Sequence, residues 1–156
     1  MLELITGIPG SGKSYKAVND IYGTFIDDKS KLYKANTHFY TNINEFRFDV
    51  FPSGVGFALN FDDFYSKLNL LYSSAITLGA NDTELKEQAK ELNLLNALIV
   101  IDEAQNYFDR DDKVLVWWVS YHRHLGQNII LLTQSLDLLH TKYKKFSESF
   151  LRAVPS

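Results

Sequence analysis

Two uninterrupted apolar stretches of strand length constrain the fold of this chain more than any other feature. They cover residues 97–101 and 129–133, the second ending in a threonine. A strand with one solvated face alternates apolar and polar residues, so a continuous apolar stretch indicates a strand that is covered on both faces. Such strands are typical of parallel sheets whose two faces pack against helices.

The rest of the chain alternates between predicted strands and predicted helices. Short strands are expected at residues 2–5, 37–43 and 150–154. A first helix is expected to begin near Lys13 or Ser14. Four further helices are expected at residues 62–74, 82–92, 114–124 and 136–146. Asp62 or Asp63 is expected to cap the first of these four, and Asp82 the second. This order predicts an α/β fold with a mainly parallel central sheet between layers of helices.

Length and composition set the organisation of the chain. Its 156 residues fit one domain, 1–156, with a turn-rich and helical insertion at about 51–96, where Pro52, Gly54 and Gly56 lie close together. The absence of cysteine excludes disulfides, thiolate metal sites and cysteine nucleophiles. The net charge of −3 disfavours nonspecific binding to nucleic acid. No apolar stretch approaches the roughly 18 residues of a spanning helix, so the chain as given is expected to be soluble.

A glycine-rich segment follows the first predicted strand and precedes the first predicted helix. It fits the pattern G-x-x-x-x-G-K-[S/T], whose backbone N–H groups and helix N-terminus bind polyphosphate. We therefore predict a three-layer P-loop NTPase that binds ATP with Mg²⁺. The predicted nucleotide-binding residues are Gly7, Ile8, Pro9, Gly10, Ser11, Gly12, Lys13, Ser14 and the adjacent Tyr15.

Lys13 is expected to reach the β- and γ-phosphates, and the Ser14 hydroxyl to bind Mg²⁺. Asp102 and Glu103 follow the most apolar strand, where a carboxylate would lie beside the phosphate loop. We predict that Asp102 binds Mg²⁺, through water, and that Glu103 orients or deprotonates an attacking water. The simpler interpretation of this pair is an acidic helix cap.

Two further polar residues are candidates for catalysis. Gln134 ends the second apolar strand and could sense the γ-phosphate, or simply cap the strand. Arg123, between His122 and His124, could act as an arginine finger in a neighbouring subunit. A cation near a helix C-terminus is also favoured by the helix dipole alone, so both interpretations of Arg123 remain open.

Four segments together resemble one known family. They are G-I-P-G-S-G-K-S at residues 7–14, T-N-I at 41–43, I-V-I-D-E-A-Q at 99–105 and H-R-H-L-G-Q-N-I-I-L-L-T-Q-S at 122–135. Their order is similar to that in the N-terminal domain of zonula occludens toxin (Zot) proteins, a domain that also occurs in the assembly ATPase of filamentous phages. Residues 51–96 match only loosely.

The resemblance implies an additional-strand P-loop ATPase that drives export of filamentous phage DNA through the inner membrane. It implies a homo-oligomer, for which a ring is one arrangement, with phage DNA and phage assembly or coat proteins as partners. Family members continue into a transmembrane helix and an extracytoplasmic part, so the chain is expected to be the domain at the cytoplasmic face of the bacterial inner membrane. The resemblance attributes the toxin activity of the family's name to that further part, so this sequence gives no reason to expect it.

Other functions share the phosphate loop. A small-molecule kinase normally carries an arginine-rich lid, and residues 51–96 contain no arginine. A GTPase is disfavoured because Thr141-Lys142-Tyr143 is followed by Lys144 rather than aspartate. A virulence or scaffolding module that binds nucleotide with little hydrolysis is the third alternative.

Overall fold

The computed structural model describes residues 1–8, 11–27 and 33–153, which contain six strands in one sheet. The strand order is β3-β2-β4-β5-β1-β6, and every neighbouring pair is parallel. The predicted α/β fold with a parallel central sheet is therefore confirmed. The strands are β1 (Leu2–Thr6), β2 (His38–Thr41), β3 (Gly56–Ala58), β4 (Ala97–Ile101), β5 (Asn128–Thr133) and β6 (Ser149–Arg152).

Helices cover both faces of the sheet and give the three layers. Side chains of α1 pack with Ile5, Val100 and Leu132 on one face, while the other helices pack with Leu4, Ile101 and their neighbours on the opposite face. Both central apolar strands are consequently buried on two sides, as their sequences predict. The helices are α1 (Lys13–Phe25), α2 (Phe61–Ile76), α3 (Asp82–Glu91), α4 (Lys113–Tyr121) and α5 (Thr141–Lys144).

The position of β5 defines the type of P-loop fold. This strand lies between β1 and β4, with Leu2 opposite Ile129 on one side and Leu98 opposite Asn128 on the other. The strand before the glycine-rich loop is therefore separated from the strand before Asp102 by one additional strand. The additional-strand arrangement is confirmed.

The helix caps differ from the predicted ones by one to three residues. Asn60 caps α2 by accepting a hydrogen bond from the backbone N–H of Asp63. Asn81 caps α3 in a reciprocal capping box with Glu84. The predictions that Asp62, Asp63 or Asp82 would cap these helices are wrong, because each asparagine precedes them and leaves the aspartates inside the first turn.

Residues 136–146 do not form the single helix that was predicted. A short 3₁₀ turn at Leu136–Leu138 is followed by Leu139 and His140 in extended conformation, and only then by α5. His140 caps α5 by accepting a hydrogen bond from the backbone N–H of Lys142. The break buries Leu139 and Tyr143 separately, at 3% and 0% exposure.

Two further elements differ from their predictions. Residues 56–58 form β3, although glycine and proline made the surrounding segment look like turns. The last strand begins one residue earlier than predicted, and Val154 in its predicted C-terminal part lies outside the described residues. Within the described residues, no helix has the length and apolar character needed to cross a membrane.

His122 is a buried titratable residue at the edge of the sheet where the strands begin. Its Nδ1 lies 2.6 Å from the carbonyl oxygen of Val119, and its Nε2 has no hydrogen-bond partner among the described residues. Burial lowers the pKa of His122 to about 4, and the positive charges of the N-terminus and Arg123 act in the same direction. The folded chain therefore keeps this imidazole neutral.

We expect His122 to make the folded chain sensitive to mild acid. Its pKa in the unfolded chain, about 6.5, is above its folded value, so the unfolded state binds the proton first as the pH falls. Its contribution is fully present above pH 6.5 and is lost between pH 6.5 and 4, by up to about 3 kcal/mol. In denaturant titrations, the unfolding free energy of His122→Phe should decrease less between pH 6.5 and pH 4 than that of the wild type. The exposed His124→Gln should retain the wild-type slope, and parallel slopes for all three proteins would contradict the prediction.

Candidate active site

The glycine-rich loop connects β1 to α1 and opens the N-terminus of that helix. Gly12 has a φ of 91°, in the left-handed region that favours glycine, and no side chain caps α1. Lys13 is the first residue of α1 and only 7% exposed, and Ser14 follows it. The first turn contains no acidic residue. Its free N–H groups and the buried ammonium of Lys13 form a site suited to an anion. Pro9 and Gly10 lie outside the described residues.

The start of the loop is tightly packed against the end of β6. A Cβ atom on Gly7 would lie 2.1 Å from the Ser11 Oγ and 3.1 Å from the carbonyl oxygen of Ala153. The backbone N–H of Ala153 donates a 2.7 Å hydrogen bond to the carbonyl of Thr6. The Ser11 Oγ is buried without a partner among the described residues. A side chain at position 7 would have to displace the Ser11 hydroxyl and would crowd the Ala153 carbonyl, so the close packing here favours glycine.

Asp102 and Glu103 follow β4, and a side chain from β2 fixes their backbone. Asn42 accepts a 2.6 Å hydrogen bond from the backbone N–H of Asp102 and donates a 3.0 Å bond to its carbonyl. Burial raises the pKa of the Asp102 carboxyl, and the charge of Glu103 raises it further. A hydrogen bond from the backbone N–H of Glu103 and the charge of Lys13 have the opposite effect. Asp102 is thus in a partly dry position whose carboxylate would gain from a nearby cation.

Glu103 adopts a left-handed conformation, with φ 52° and ψ 45°, which a non-glycine residue adopts at an energetic cost. Its Oε2 accepts hydrogen bonds from Gln105 Nε2 at 2.5 Å and from Gln134 Nε2 at 3.4 Å. The buried Thr133 hydroxyl donates to Gln105 Oε1 at 2.9 Å. The Glu103 carboxylate is therefore held between the ends of β4 and β5, on the side of β4 that faces the phosphate loop.

A cavity of about 480 Å³ adjoins the loop at the same edge of the sheet. It lies across the ends of β5, β1 and β6, because the carboxyl ends of parallel strands meet at one edge. Arg152, at the end of β6, contributes the cationic part of its wall. The described residues that line it are Thr6, Gly7, Ile8, Gln134, Ser135, Leu136, Arg152 and Ala153.

Arg123 lies at the opposite edge of the sheet from the phosphate loop. It belongs to a 3₁₀ turn, His122–Leu125, just before β5 begins, and it forms an ion pair with Glu148. Its side chain is 61% exposed. Arg123 therefore does not lie near the loop of its own chain, and a finger role requires a second subunit.

The residues at the loop fit a nucleotide with Mg²⁺. Ser14 would supply one oxygen ligand and Asp102 would act through a metal-bound water, and Mg²⁺ commonly takes only one or two protein ligands together with phosphate oxygens and water. No group of three or more histidine, aspartate or glutamate residues suited to a metal is found in the part of the chain that the structure describes. A metal that depended on protein ligands alone is thus not indicated there.

Sequence reasoning left four site residues without a role: Asn42, Gln105, Thr133 and Arg152. Asn42 and Gln105 were seen only as parts of family-like segments, and Thr133 only as the end of an apolar run. All three follow or end strands that are parallel to each other and whose ends lie beside Asp102 and Gln134. Their position after predicted parallel strands is the sequence signal that could have identified them as site residues. Arg152 carried no signal, because its proximity to the loop depends on the pairing of β6 with β1.

Comparisons with known proteins agree with this fold. The N-terminal domain of zonular occludens toxin from Neisseria meningitidis matches with a TM-score of 0.61 and 21% identity, over 97% of this chain and 75% of that one. The genome packaging NTPase B204 from Sulfolobus turreted icosahedral virus 2, in complex with ATP-γS, matches with a TM-score of 0.59 and 18% identity, over 97% and 74%.

The Aeropyrum pernix ORC1 protein in complex with DNA gives a TM-score of 0.52 and 16% identity, over 99% of this chain and 39% of that one. No curated protein sequence matches the chain. These structures share the P-loop NTPase fold with it. A family model described as zonular occludens toxin (Zot) matches residues 1–152, and the chain therefore belongs to the Zot family.

Proposed function

We propose that the chain is the ATP-hydrolysing domain of an oligomeric motor that exports filamentous phage DNA through the inner membrane. One observation carries the hydrolytic part of this proposal. Glu103 is held in a left-handed conformation with its carboxylate between two glutamines, at the same edge of the sheet as the phosphate loop. A backbone conformation of this kind, at a residue whose carboxylate is held beside a phosphate loop, supports a catalytic role.

Residues of two elements, α1 and the end of β4, would bind ATP and its metal. The N-terminus of α1 and the Lys13 ammonium would bind the phosphates. Ser14 would bind Mg²⁺ directly, and Asp102 would bind it through water. When it is bound, Mg²⁺ neutralises part of the phosphate charge. The desolvation that raises the pKa of Asp102 means that this carboxyl gains more from a cation than an exposed one would.

Glu103 would orient a water molecule and accept its proton, while Gln134 would hold the same water and sense the γ-phosphate. The hydrogen bonds from Gln105 and Gln134 fix the direction of the Glu103 carboxylate before any water binds. Hydrolysis is favoured over transfer to a substrate hydroxyl because the base lies adjacent to the metal-binding aspartate.

Assembly and cargo are proposed from the family and from the position of Arg123. The exposed Arg123 lies far from its own loop, so we assign it to the active site of a neighbouring subunit in a ring. The viral packaging NTPase of similar fold supports a motor that handles DNA. We place the full protein at the cytoplasmic face of the inner membrane, with phage DNA and coat proteins as partners.

The proposal predicts an ATPase rate per subunit that rises with protein concentration as active sites become shared. Glu103→Gln should bind ATP and lose at least about a hundredfold in turnover, because a general base contributes 10²–10⁴-fold. Lys13→Ala should lose ATP binding. Phosphate release and ATP calorimetry would measure both.

Glu87→Gln and Lys86→Ala, two exposed substitutions on α3, are the matched controls and should behave as wild type. Wild-type binding by Lys13→Ala would refute the site itself. The wild-type rate per subunit could instead stay constant with protein concentration and equal the rate of Glu103→Gln. That result would favour a nucleotide-binding module with little hydrolysis.

Gln105 should act as a positioning residue for Glu103. Gln105→Ala removes the hydrogen bonds to Glu103 and Thr133, so we expect turnover to fall about tenfold with unchanged ATP affinity. Combined with Glu103→Gln, the substitution should cause little further loss, since both act on one group. A full tenfold additional loss in the double variant would show that Gln105 acts independently of Glu103.

Arg123 can be tested by mixing two inactive variants. Lys13→Ala cannot bind ATP but offers Arg123, whereas Arg123→Ala binds ATP but lacks the finger. If the arginine acts across an interface, the mixture should hydrolyse ATP faster than either variant alone. Arg110→Ala, at a side chain that is 83% exposed, should behave as wild type. Normal hydrolysis by Arg123→Ala, at concentrations where the wild type assembles, would remove Arg123 from the mechanism.

A further inference from the structure

Arg152 is fixed next to the phosphate loop by the pairing of two strands. It lies opposite Thr6 in the parallel pairing of β6 with β1, and the next residue, Ala153, donates its backbone N–H to the carbonyl of Thr6 at 2.7 Å. Gly7 then packs closely against the Ala153 carbonyl. The side chain of Arg152 therefore starts from a backbone position that is tied to the first residues of the loop.

Of the four arginines in the sequence, at positions 47, 110, 123 and 152, only Arg152 lines the cavity beside the loop. Arg47 lies between β2 and β3, at the far side of the sheet, and pairs with Asp49. Arg110 is highly exposed, and Arg123 lies at the opposite edge. Arg152 is thus the arginine whose side chain contributes to the wall of the cavity beside the loop.

The geometry of the sheet edge sets the direction of a bound nucleotide. The residues proposed to act on the γ-phosphate, Glu103 and Gln134, follow β4 and β5, on one side of the loop. The phosphates of a nucleoside triphosphate form an unbranched chain, so the nucleoside lies at the opposite end of that chain from the γ-phosphate and away from these two residues. The cavity extends from Gln134, after β5, across the end of β1 to Arg152 on β6, so its β6 end is the part that lies farthest from Glu103.

The cavity has the size and lining of a subsite for a small planar group. Its volume of about 480 Å³ is within the usual range for ligand pockets. Ile8 is 60% exposed beside it, and Leu136 adds a second apolar wall. Apolar contacts together with one planar cation suit a nucleobase, because a guanidinium stacks on an aromatic face while its N–H groups remain free for hydrogen bonds.

We propose that this cavity binds the base of the nucleotide and that Arg152 stacks on it. The proposal rests on the proposed nucleotide binding and adds the place and the chemistry of base recognition. Arg152 accordingly contributes to affinity for a nucleoside triphosphate and not to affinity for its phosphates alone. The sequence contains no separate adenine-reading motif, and a stacking arginine recognises a base without one.

The experiment compares two ligands on the same variants. Calorimetry with a non-hydrolysable ATP analogue and with inorganic tripolyphosphate, both with Mg²⁺, is performed on the wild type, Arg152→Ala and Arg152→Gln. Loss of one stacked cation should weaken the affinity for the ATP analogue about tenfold and leave the affinity for tripolyphosphate unchanged. Arg47→Ala is the matched control for loss of an exposed arginine, and circular dichroism verifies folding of each variant.

Each outcome decides the proposal. Unchanged affinity for the analogue in a folded Arg152 variant overturns it. An equal loss for both ligands also overturns it, because Arg152 would then bind phosphate rather than the base. Lys13→Ala separates this failure from failure of the proposed function. If Lys13→Ala binds neither ligand while the Arg152 variants bind both with wild-type affinity, the proposed nucleotide site is supported and only the proposed base subsite is contradicted.

Discussion

The pairing of β5 with both β1 and β4 is the constraint on which the site depends. It separates the strand that carries the phosphate loop from the strand that carries Asp102 by two strand spacings, about 10 Å. The end of β5 fills this gap with Thr133 and Gln134, which both reach the network around Glu103. Because all three strands are parallel and mutually in register, one edge of the sheet gathers the loop, the carboxylates and the glutamine.

The carboxylate side of the site is fixed by hydrogen bonds that come from other strands. Asn42 of the β2 end holds both backbone groups of Asp102, and these contacts offset part of the cost of the left-handed Glu103. Thr133 and Gln105 extend the network to β5. The acidic pair is consequently positioned by the sheet as a whole, and a shift of any of the three strands would redirect the Glu103 carboxylate.

The sequence was informative where a signal is local. Continuous apolar runs predicted β4 and β5 correctly, and the glycine pattern predicted the connection from β1 to α1. The break at Leu139 and His140 was not predictable, because it depends on burying Leu139 and Tyr143 separately against the core. The roles assigned to Lys13, Asp102, Glu103, Gln134 and Arg123 stay predictions. Arg152 was missed because its proximity to the loop arises from pairing between residues that are far apart in sequence.

The bond between Ala153 and Thr6 gives the phosphate loop a mechanical connection to the edge of the molecule. Within the described residues β6 is an outer strand, and Phe150 and Leu151 on it are 54% and 39% exposed. A Cβ atom on Gly7 would come within 3.1 Å of the Ala153 carbonyl oxygen, so the loop and the end of β6 are closely packed. A rearrangement of the loop would therefore have to be accommodated at the end of β6, the strand that carries this apolar stretch of surface. Protein interiors transmit such shifts because they are closely packed.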